Sequence, residues 1–108
     1  EVPRNTDIYI INQGLIAESL AMDLSRKLRN YDLIVELDLS GASFSKQFKK
    51  ANKLKSKSII VIGDEEAAKS EFLIRLFDQS GKENKGEFIS FDNDIKLENW
   101  INKNLLAK

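Results

Sequence analysis

Residues 43–66, SFSKQFKKANKLKSKSIIVIGDEE, place a basic, an apolar and an acidic segment one after another. Six lysines and no acid come before the apolar run SIIVI, and Gly63 then leads into three consecutive carboxylates. At about 100° per residue the basic segment divides into two sides, which predicts a helix over residues 43–54 with Ser43 as its N-cap. The apolar side holds Phe44, Phe48 and Ala51, and the opposite side holds Lys46, Lys49, Lys50 and Lys53. The apolar run predicts a strand buried on both faces, which is typical of parallel sheets.

The same alternation of strand and helix patterns extends to both sides of this segment. Strands are predicted at 7–11, 32–37, 58–62, 72–77 and 87–91, and helices at 14–30, 43–54, 64–70 (one short turn) and 94–108. Strands separated by helices pair in parallel through right-handed crossovers. The polar turn at 80–86 is too short for a crossover, so the last two strands are expected to be antiparallel. The sequence therefore predicts a three-layer α/β/α domain around a mixed five-stranded sheet.

Length and composition fit one small domain that needs no metal or disulfide to fold. The chain has 108 residues, no Cys, no His, 42% apolar residues, 31% charged residues and no net charge. No apolar stretch approaches the ~20 residues of a membrane span, and no signal peptide is evident, so a cytoplasmic location is expected. The polar residues 1–6 hold the only proline and are interpreted as a linker or an artificial remnant. Residues 7–108 are interpreted as a domain of a longer protein.

Motifs for catalysis or cofactor binding are missing from this sequence. Asn12-Gln13-Gly14 after the first strand does not make a dinucleotide-binding loop, and no phosphate-binding P-loop is present. Without His, no serine has an imidazole base, and Ser43-Phe44-Ser45-Lys46 matches a Ser-x-x-Lys pattern only by chance. Asp64-Glu65-Glu66 is better explained as acids favouring a helix start than as a Mg²⁺ site. We expect no catalytic residue, metal or cofactor in this chain.

The segment 37–81, LDLSGASFSKQFKKANKLKSKSIIVIGDEEAAKSEFLIRLFDQSG, resembles the C-terminal anticodon-binding domain of class IIa aminoacyl-tRNA synthetases. Phe44-Ser45-Lys46-Gln47-Phe48, Ala51-Asn52-Lys53 and Gly63-Asp64-Glu65-Glu66 match the motifs of that family in order. Within the family the segment is most similar to the histidyl-tRNA synthetases. The resemblance extends over about residues 7–107.

This resemblance implies a sheet with strand order 2-1-3-4-5 in which strand 4 is antiparallel to the others. It also implies that the anticodon loop of a tRNA is the partner. The parent protein is expected to be a homodimeric ligase whose N-terminal catalytic domain, absent here, uses ATP and Mg to attach histidine to its tRNA.

The resemblance and the charge pattern together indicate candidate RNA-binding residues. Glu66 matches the family position that reads a guanine edge, where N–H donors call for a carboxylate, and Arg75 matches a basic position that contacts base or phosphate. Lys46, Lys50 and Lys53 are expected to follow phosphates, and Asn12, Ser40, Gly41 and Gln47 are expected near the same edge. In the plainer interpretations, the lysines are only solvated, and Glu66 pairs with Arg75. Phe44, Phe48 and Trp100 are predicted to belong to the core.

Two other functions remain open at this point. The chain can belong to a class IIa synthetase for threonine, proline or glycine instead of histidine. It can also be a non-catalytic synthetase-like module that binds a protein or forms a dimer. Both alternatives share the predicted fold, so the sequence does not separate them.

Overall fold

The computed structural model of the chain describes residues 5–77 and 86–106. Residues 1–4 of the predicted linker, most of the turn predicted at 80–86 and the last two residues of the predicted closing helix lie outside these ranges. The elements are β1 (Ile8–Asn12), α1 (Leu15–Arg29), β2 (Val35–Leu37), α2 (Phe44–Lys53), β3 (Ser58–Ile62), α3 (Asp64–Ala68), β4 (Glu71–Leu76), β5 (Glu87–Ser90) and α4 (Asp94–Ile101). A wider, π-helical turn over Asn102–Leu106 continues α4.

The five strands form one sheet in the order β2-β1-β3-β4-β5, as predicted. β1 runs parallel to β2 and β3, whereas β4 is antiparallel to both β3 and β5. β1 and β3 occupy the interior, and every residue of β1 is buried, which explains why their sequences are continuously apolar. The predicted strand order and the antiparallel fourth strand are confirmed.

One face of the sheet carries the larger part of the core, together with α1, α3 and α4. Ala17, Ala21, Leu24 and Leu28 recur at intervals of three and four along α1 and pack on Ile8, Ile10, Ile60 and Ile62. α4 adds Leu97, Trp100 and Ile101 to the same cluster, so Trp100 is a packing residue as predicted. We call this side of the molecule the α1 face.

The opposite side of the sheet, which we call the α2 face, is covered only in part. α2 lies over β1, where Ala51 packs with Tyr9, Ile11 and Ile59. Phe44 and Phe48 are half-buried along the flank of α2 rather than fully in the core. Leu73, Arg75 and Phe88 lie on the same side over β4 and β5, and Phe88 is 51% exposed. The α2 face therefore has a covered half and an open half.

Two local predictions are wrong for identifiable reasons. The second strand is only three residues long, because Asp32 adopts a left-handed φ of 63° and ends the turn that follows α1. The Asp7 carboxylate then accepts the hydrogen bond of Ile34 N at 2.8 Å, which removes that amide from the strand ladder. Ile16 continues the three- and four-residue apolar spacing of α1, which predicts an inward side chain, but it lies in the first turn of the helix and is 69% exposed.

The described helices are short. None of them is both long and apolar enough to cross a membrane.

Candidate nucleic-acid interface

At the predicted RNA-binding edge, a buried set of side-chain amide hydrogen bonds connects the end of β1 to α2. Gln47 Oε1 accepts from Asn12 N at 3.0 Å, and Gln47 Nε2 donates to Asn12 O at 2.7 Å and to Ala42 O at 2.8 Å. Asn12 Nδ2 donates to Asp38 O at 3.1 Å. Gln47 is 1% exposed and Asn12 is 5% exposed. These two predicted RNA-binding residues therefore hold the start of α2 against the end of β1 and present no side chain to a ligand.

The loop after β2 presents the predicted residues Ser40 and Gly41 at the surface. Asp38 Oδ1 accepts from Ser40 N at 2.8 Å, and hydrogen bonds from Ser40 lower the pKa of the Asp38 carboxyl, with Lys50 adding a smaller effect. Gly41 has a φ of 81°, a conformation that favours glycine, and a Cβ at this position would meet nothing within 4 Å. The loop is therefore an exposed stretch of backbone at the edge of the α2 face.

Glu66 lies at the end of β3, on the same side of the sheet as α2. Its Oε1 accepts from Gly63 N at 2.8 Å, a bond that closes the first turn of α3. A Cβ placed on Gly63 would lie 3.1 Å from Glu66 Oε1 and 3.3 Å from Phe44 Cζ, so the carboxylate and the Phe44 ring are neighbours. Glu66 is half-buried, and among the described residues its second oxygen has no hydrogen-bond partner. One carboxylate oxygen thus stays available for an external donor.

Arg75 projects from β4 toward the flank of α2. Its guanidinium carbon lies 6.0 Å from the centre of the Phe48 ring, within the range of a cation–π contact. Arg75 pairs with Ile59 in the sheet register, four residues before Gly63, so it lies roughly 13 Å along the strand from Gly63. In the described part of the chain no ion pair joins Arg75 to Glu66 or to any other carboxylate. The two side chains share the α2 face without neutralising each other.

The lysines of α2 form an exposed cationic side, as predicted, and none makes an ion pair with a described residue. Helical geometry divides them between two directions. Lys50 follows Gln47 on the flank toward β2, and its charge acts on Asp38. Lys46, Lys49 and Lys53 point outward, and Lys49 is the one of these three nearest to the Phe48 side of the helix. We call Lys46, Lys49, Lys50 and Lys53 the lysine side of α2.

Sequence reasoning left Lys49 and Phe88 out of the candidate residues. For Lys49 a signal existed, because helical periodicity places it on the same outer side of α2 as Lys46 and Lys53. For Phe88 no local signal existed, since β5 alone does not show which of its faces a helix will cover. The exposed ring became evident only from the position of α2 over β1.

The described residues form an open surface rather than an enclosed site. No pocket is found in this part of the molecule, and no group of three or more acids among these residues is arranged to hold a metal ion. The lysine side of α2, Glu66, Arg75, Ser40 and Gly41 all lie on or beside the α2 face. Such a shallow, charged surface suits an extended polyanion better than a small molecule.

Comparison with known proteins identifies the domain type. Residues 7–102 match the family described as "Anticodon binding domain". The histidine–tRNA ligase of Prochlorococcus marinus (strain AS9601) is 83% identical over 108 residues, which is 100% of this chain and 25% of that protein. The histidine–tRNA ligase of Synechococcus sp. (strain CC9902) is 49% identical over 80 residues, or 73% of this chain and 18% of that protein. The chain thus spans about a quarter of the length of the Prochlorococcus relatives, 25% in the first of them.

Solved structures share the same fold. Apo histidyl-tRNA synthetase of S. aureus superposes with a TM-score of 0.72 at 26% identity, over 90% of this chain and 27% of that one. The RNA-binding domain of threonyl-tRNA synthetase from Cryptosporidium parvum gives a TM-score of 0.69 at 21% identity, over 85% of this chain and 22% of that one. At that lower identity the likeness concerns the fold alone.

Proposed function

The chain belongs to the anticodon-binding domain family, in the form that occurs in histidine–tRNA ligases, and from this membership we propose that it recognises the anticodon loop of histidine tRNA. The observation that supports the proposal best is that Glu66, Arg75 and the lysine side of α2 share one face of the sheet. An anticodon loop offers a dense phosphate backbone and unpaired bases, which require cations and exposed hydrogen-bonding groups in close proximity.

In the proposed complex the lysines and the carboxylate have separate tasks. Lys46 and Lys53 neutralise phosphates on the outer side of α2, and Lys50 does so near the Ser40–Gly41 backbone. Glu66 keeps one oxygen on Gly63 N and uses the other to accept from the N–H donors of a guanine edge. Arg75, already stacked against Phe48, contacts a base or a phosphate. Asn12 and Gln47 support this surface from below and make no RNA contact.

The parent protein would supply the chemistry. We propose that a catalytic domain outside this chain binds ATP and Mg²⁺ and attaches histidine to the tRNA that this domain selects. The parent would act as a homodimer in the cytoplasm, where tRNA is charged. This domain would contribute binding energy and specificity and no catalytic group.

The test is a titration of the chain with a histidine-tRNA anticodon stem-loop at several salt concentrations. We expect affinity to fall with salt, with a slope of roughly −0.7 for each phosphate contacted, and to fall further when anticodon bases are exchanged. Stem-loops with threonine, proline or glycine anticodons separate histidine from the sister synthetases. Binding that ignores both salt and anticodon sequence would refute the proposal.

A matched pair of variants tests the part assigned to Glu66. Glu66→Gln keeps an oxygen for Gly63 N, so the fold is retained, but it loses the charged acceptor for guanine. We expect about tenfold to a hundredfold weaker binding of the histidine anticodon stem-loop. Glu65→Gln makes the same change of charge one residue earlier on the exposed side of α3 and should have a much smaller effect. Equal losses in both variants would show that only net charge matters.

A further inference from the structure

The open half of the α2 face exposes an aromatic ring on a strand. Phe88 of β5 lies beside Leu73 of β4, which lies beside Val61 of β3, so the three side chains form a row across the sheet. Val61 and Leu73 are half-buried, whereas Phe88 is 51% exposed. A phenylalanine at the end of such a row contributes less than its full burial energy to folding. Its ring therefore presents apolar area that the described part of the chain does not cover.

Next to Phe88 the sheet surface stays flat because of Gly86. A Cβ at Gly86 would lie 2.7 Å from Ile74 O, 2.7 Å from Leu73 Cδ1 and 3.0 Å from Arg75 Cβ. The Leu73 side chain leans into the space that a larger residue at position 86 would fill. Leu73 and Gly86 thus form a flat apolar surface between Phe88 and Arg75, which we call the floor.

Positive charge borders this floor on the side of α2. The Arg75 guanidinium lies 6.0 Å from the centre of the Phe48 ring and has no carboxylate partner among the described residues, and Lys49, the residue after Phe48, is exposed on the outer side of α2. The acidic side chain on this face of β4, Glu71, lies at the far end of the strand opposite Ser90. An aromatic ring, a guanidinium plane and a lysine around a flat floor are the components with which proteins bind unpaired nucleotides.

We propose that Phe88, Arg75, Leu73 and Gly86 form a stacking site for one unpaired base of the RNA, and that Lys49 contacts the phosphate next to it. This inference rests on the proposed RNA-binding function and extends the interface from the end of β3 across β4 to β5. RNA is favoured over a protein partner because the floor is continuous with the lysine side of α2, whose charge complements a phosphate backbone. A protein partner would have to bring its own carboxylates to Arg75, which has none among the described residues.

The test compares three substitutions of Phe88 in titrations with the same stem-loop. Phe88→Ala removes the stacking surface and should weaken binding about 5- to 100-fold. Phe88→Tyr keeps an aromatic face and should bind within about twofold of the original chain. Phe88→Leu keeps apolar area without an aromatic face and should behave like Phe88→Ala. Thermal unfolding of each variant establishes that the fold is intact, and Ile95→Ala, at a position 73% exposed on α4, is the control for loss of an exposed apolar side chain.

A fluorescence experiment identifies which base of the RNA loop contacts Phe88. With 2-aminopurine placed in turn at each loop position, the original chain should change the fluorescence of one position strongly, and Phe88→Ala should abolish that change while Ile95→Ala preserves it. Lys49→Gln should reduce the salt slope by about 0.7.

The outcomes separate this inference from the function on which it rests. If the unaltered chain does not bind RNA in a salt-dependent manner, the proposed function fails. If it binds and Glu66→Gln weakens binding, but Phe88→Ala binds as tightly as the original, only the stacking site is overturned. A Phe88→Ala variant that alters sedimentation without altering RNA affinity would assign the ring to a contact between proteins and would equally reject the stacking site.

Discussion

The two faces of the sheet differ in what they bury and in what they leave free. Among the described residues, sixteen buried apolar residues from α1, α4, all five strands and the segment before β2 form one cluster on the α1 face, whereas the buried cluster on the α2 face has four. The α1 face therefore supplies most of the hydrophobic stabilisation. The α2 face buries fewer apolar residues and leaves lysines, an arginine, a carboxylate and an aromatic ring at its surface. The difference suggests that stability and recognition are assigned to opposite sides of one sheet.

Neighbouring residues of β4 offer the largest expected effect and the sharpest contrast between the faces. Ile74 is fully buried on the α1 face, and Leu73 is half-buried on the α2 face. Ile74→Ala should lower the free energy of unfolding by about 2–5 kcal/mol, because it leaves a cavity in a packed core. Leu73→Ala should cost about 1 kcal/mol. Urea denaturation measures both, and similar losses would show that the two faces are equally well packed.

Gln47 tests whether the α2 face contains structural residues beneath its recognition surface. Gln47→Leu removes three hydrogen bonds and leaves Asn12 N, Asn12 O and Ala42 O without these partners. We expect a loss of about 1–3 kcal/mol in unfolding free energy. Lys46→Leu, one residue earlier at an exposed position, should change stability by less than about 0.5 kcal/mol. A Gln47→Leu variant of unchanged stability and weakened RNA binding would contradict the structural role.

The smallest predicted effect is a pH dependence at the edge of the α2 face. Hydrogen bonds from Ser40 lower the pKa of the Asp38 carboxyl in the folded chain. A lowered pKa contributes stability that is present above the unfolded-state pKa of about 4 and is lost as pH falls through the lower folded-state pKa. Titration of the Asp38 carboxyl carbon by NMR should give a midpoint below the unfolded-state value of about 4. Ser40→Ala should move the Asp38 midpoint upward; an unchanged midpoint would show that the side chain of Ser40 has no part in the shift.

The fold could be predicted from sequence because its strongest signals are local. The continuously apolar β1 and β3 indicate strands buried on both faces, and the three- and four-residue spacing of the apolar residues from Ala17 to Leu28 indicates a helix against the sheet. The short β2 could not be predicted, because the Asp7 carboxylate that accepts from Ile34 N lies just before β1, 27 residues away in sequence. Local patterns record which face is apolar and do not record where the chain turns.

The candidate site could be predicted only in part, for a similar reason. Glu66 and Arg75 were reached through a family motif, and the lysine side of α2 through helical periodicity. Asn12 and Gln47 were expected near the RNA-binding edge, but the approach of α2 to the end of β1 turns them into a buried pair. Phe88 was not a candidate, because the pattern of β5 does not show which of its faces stays uncovered. Whether a polar side chain is buried or an aromatic ring is exposed depends on packing between elements, which single segments do not reveal.

The central claim, that RNA binds the α2 face, is tested most directly by removing equal charge from each side of the molecule. Lys46→Gln with Lys53→Gln takes two charges from the lysine side of α2, and Arg26→Gln with Lys103→Gln takes two exposed charges from α1 and the turn after α4. Both variants have the same net charge. Any difference between their titrations with the stem-loop at several salt concentrations therefore reflects where the removed charges lie. We predict that the first variant loses roughly 1.4 units of salt slope and the second loses almost none. Equal losses in the two variants, or a larger loss in the second, would contradict the claim.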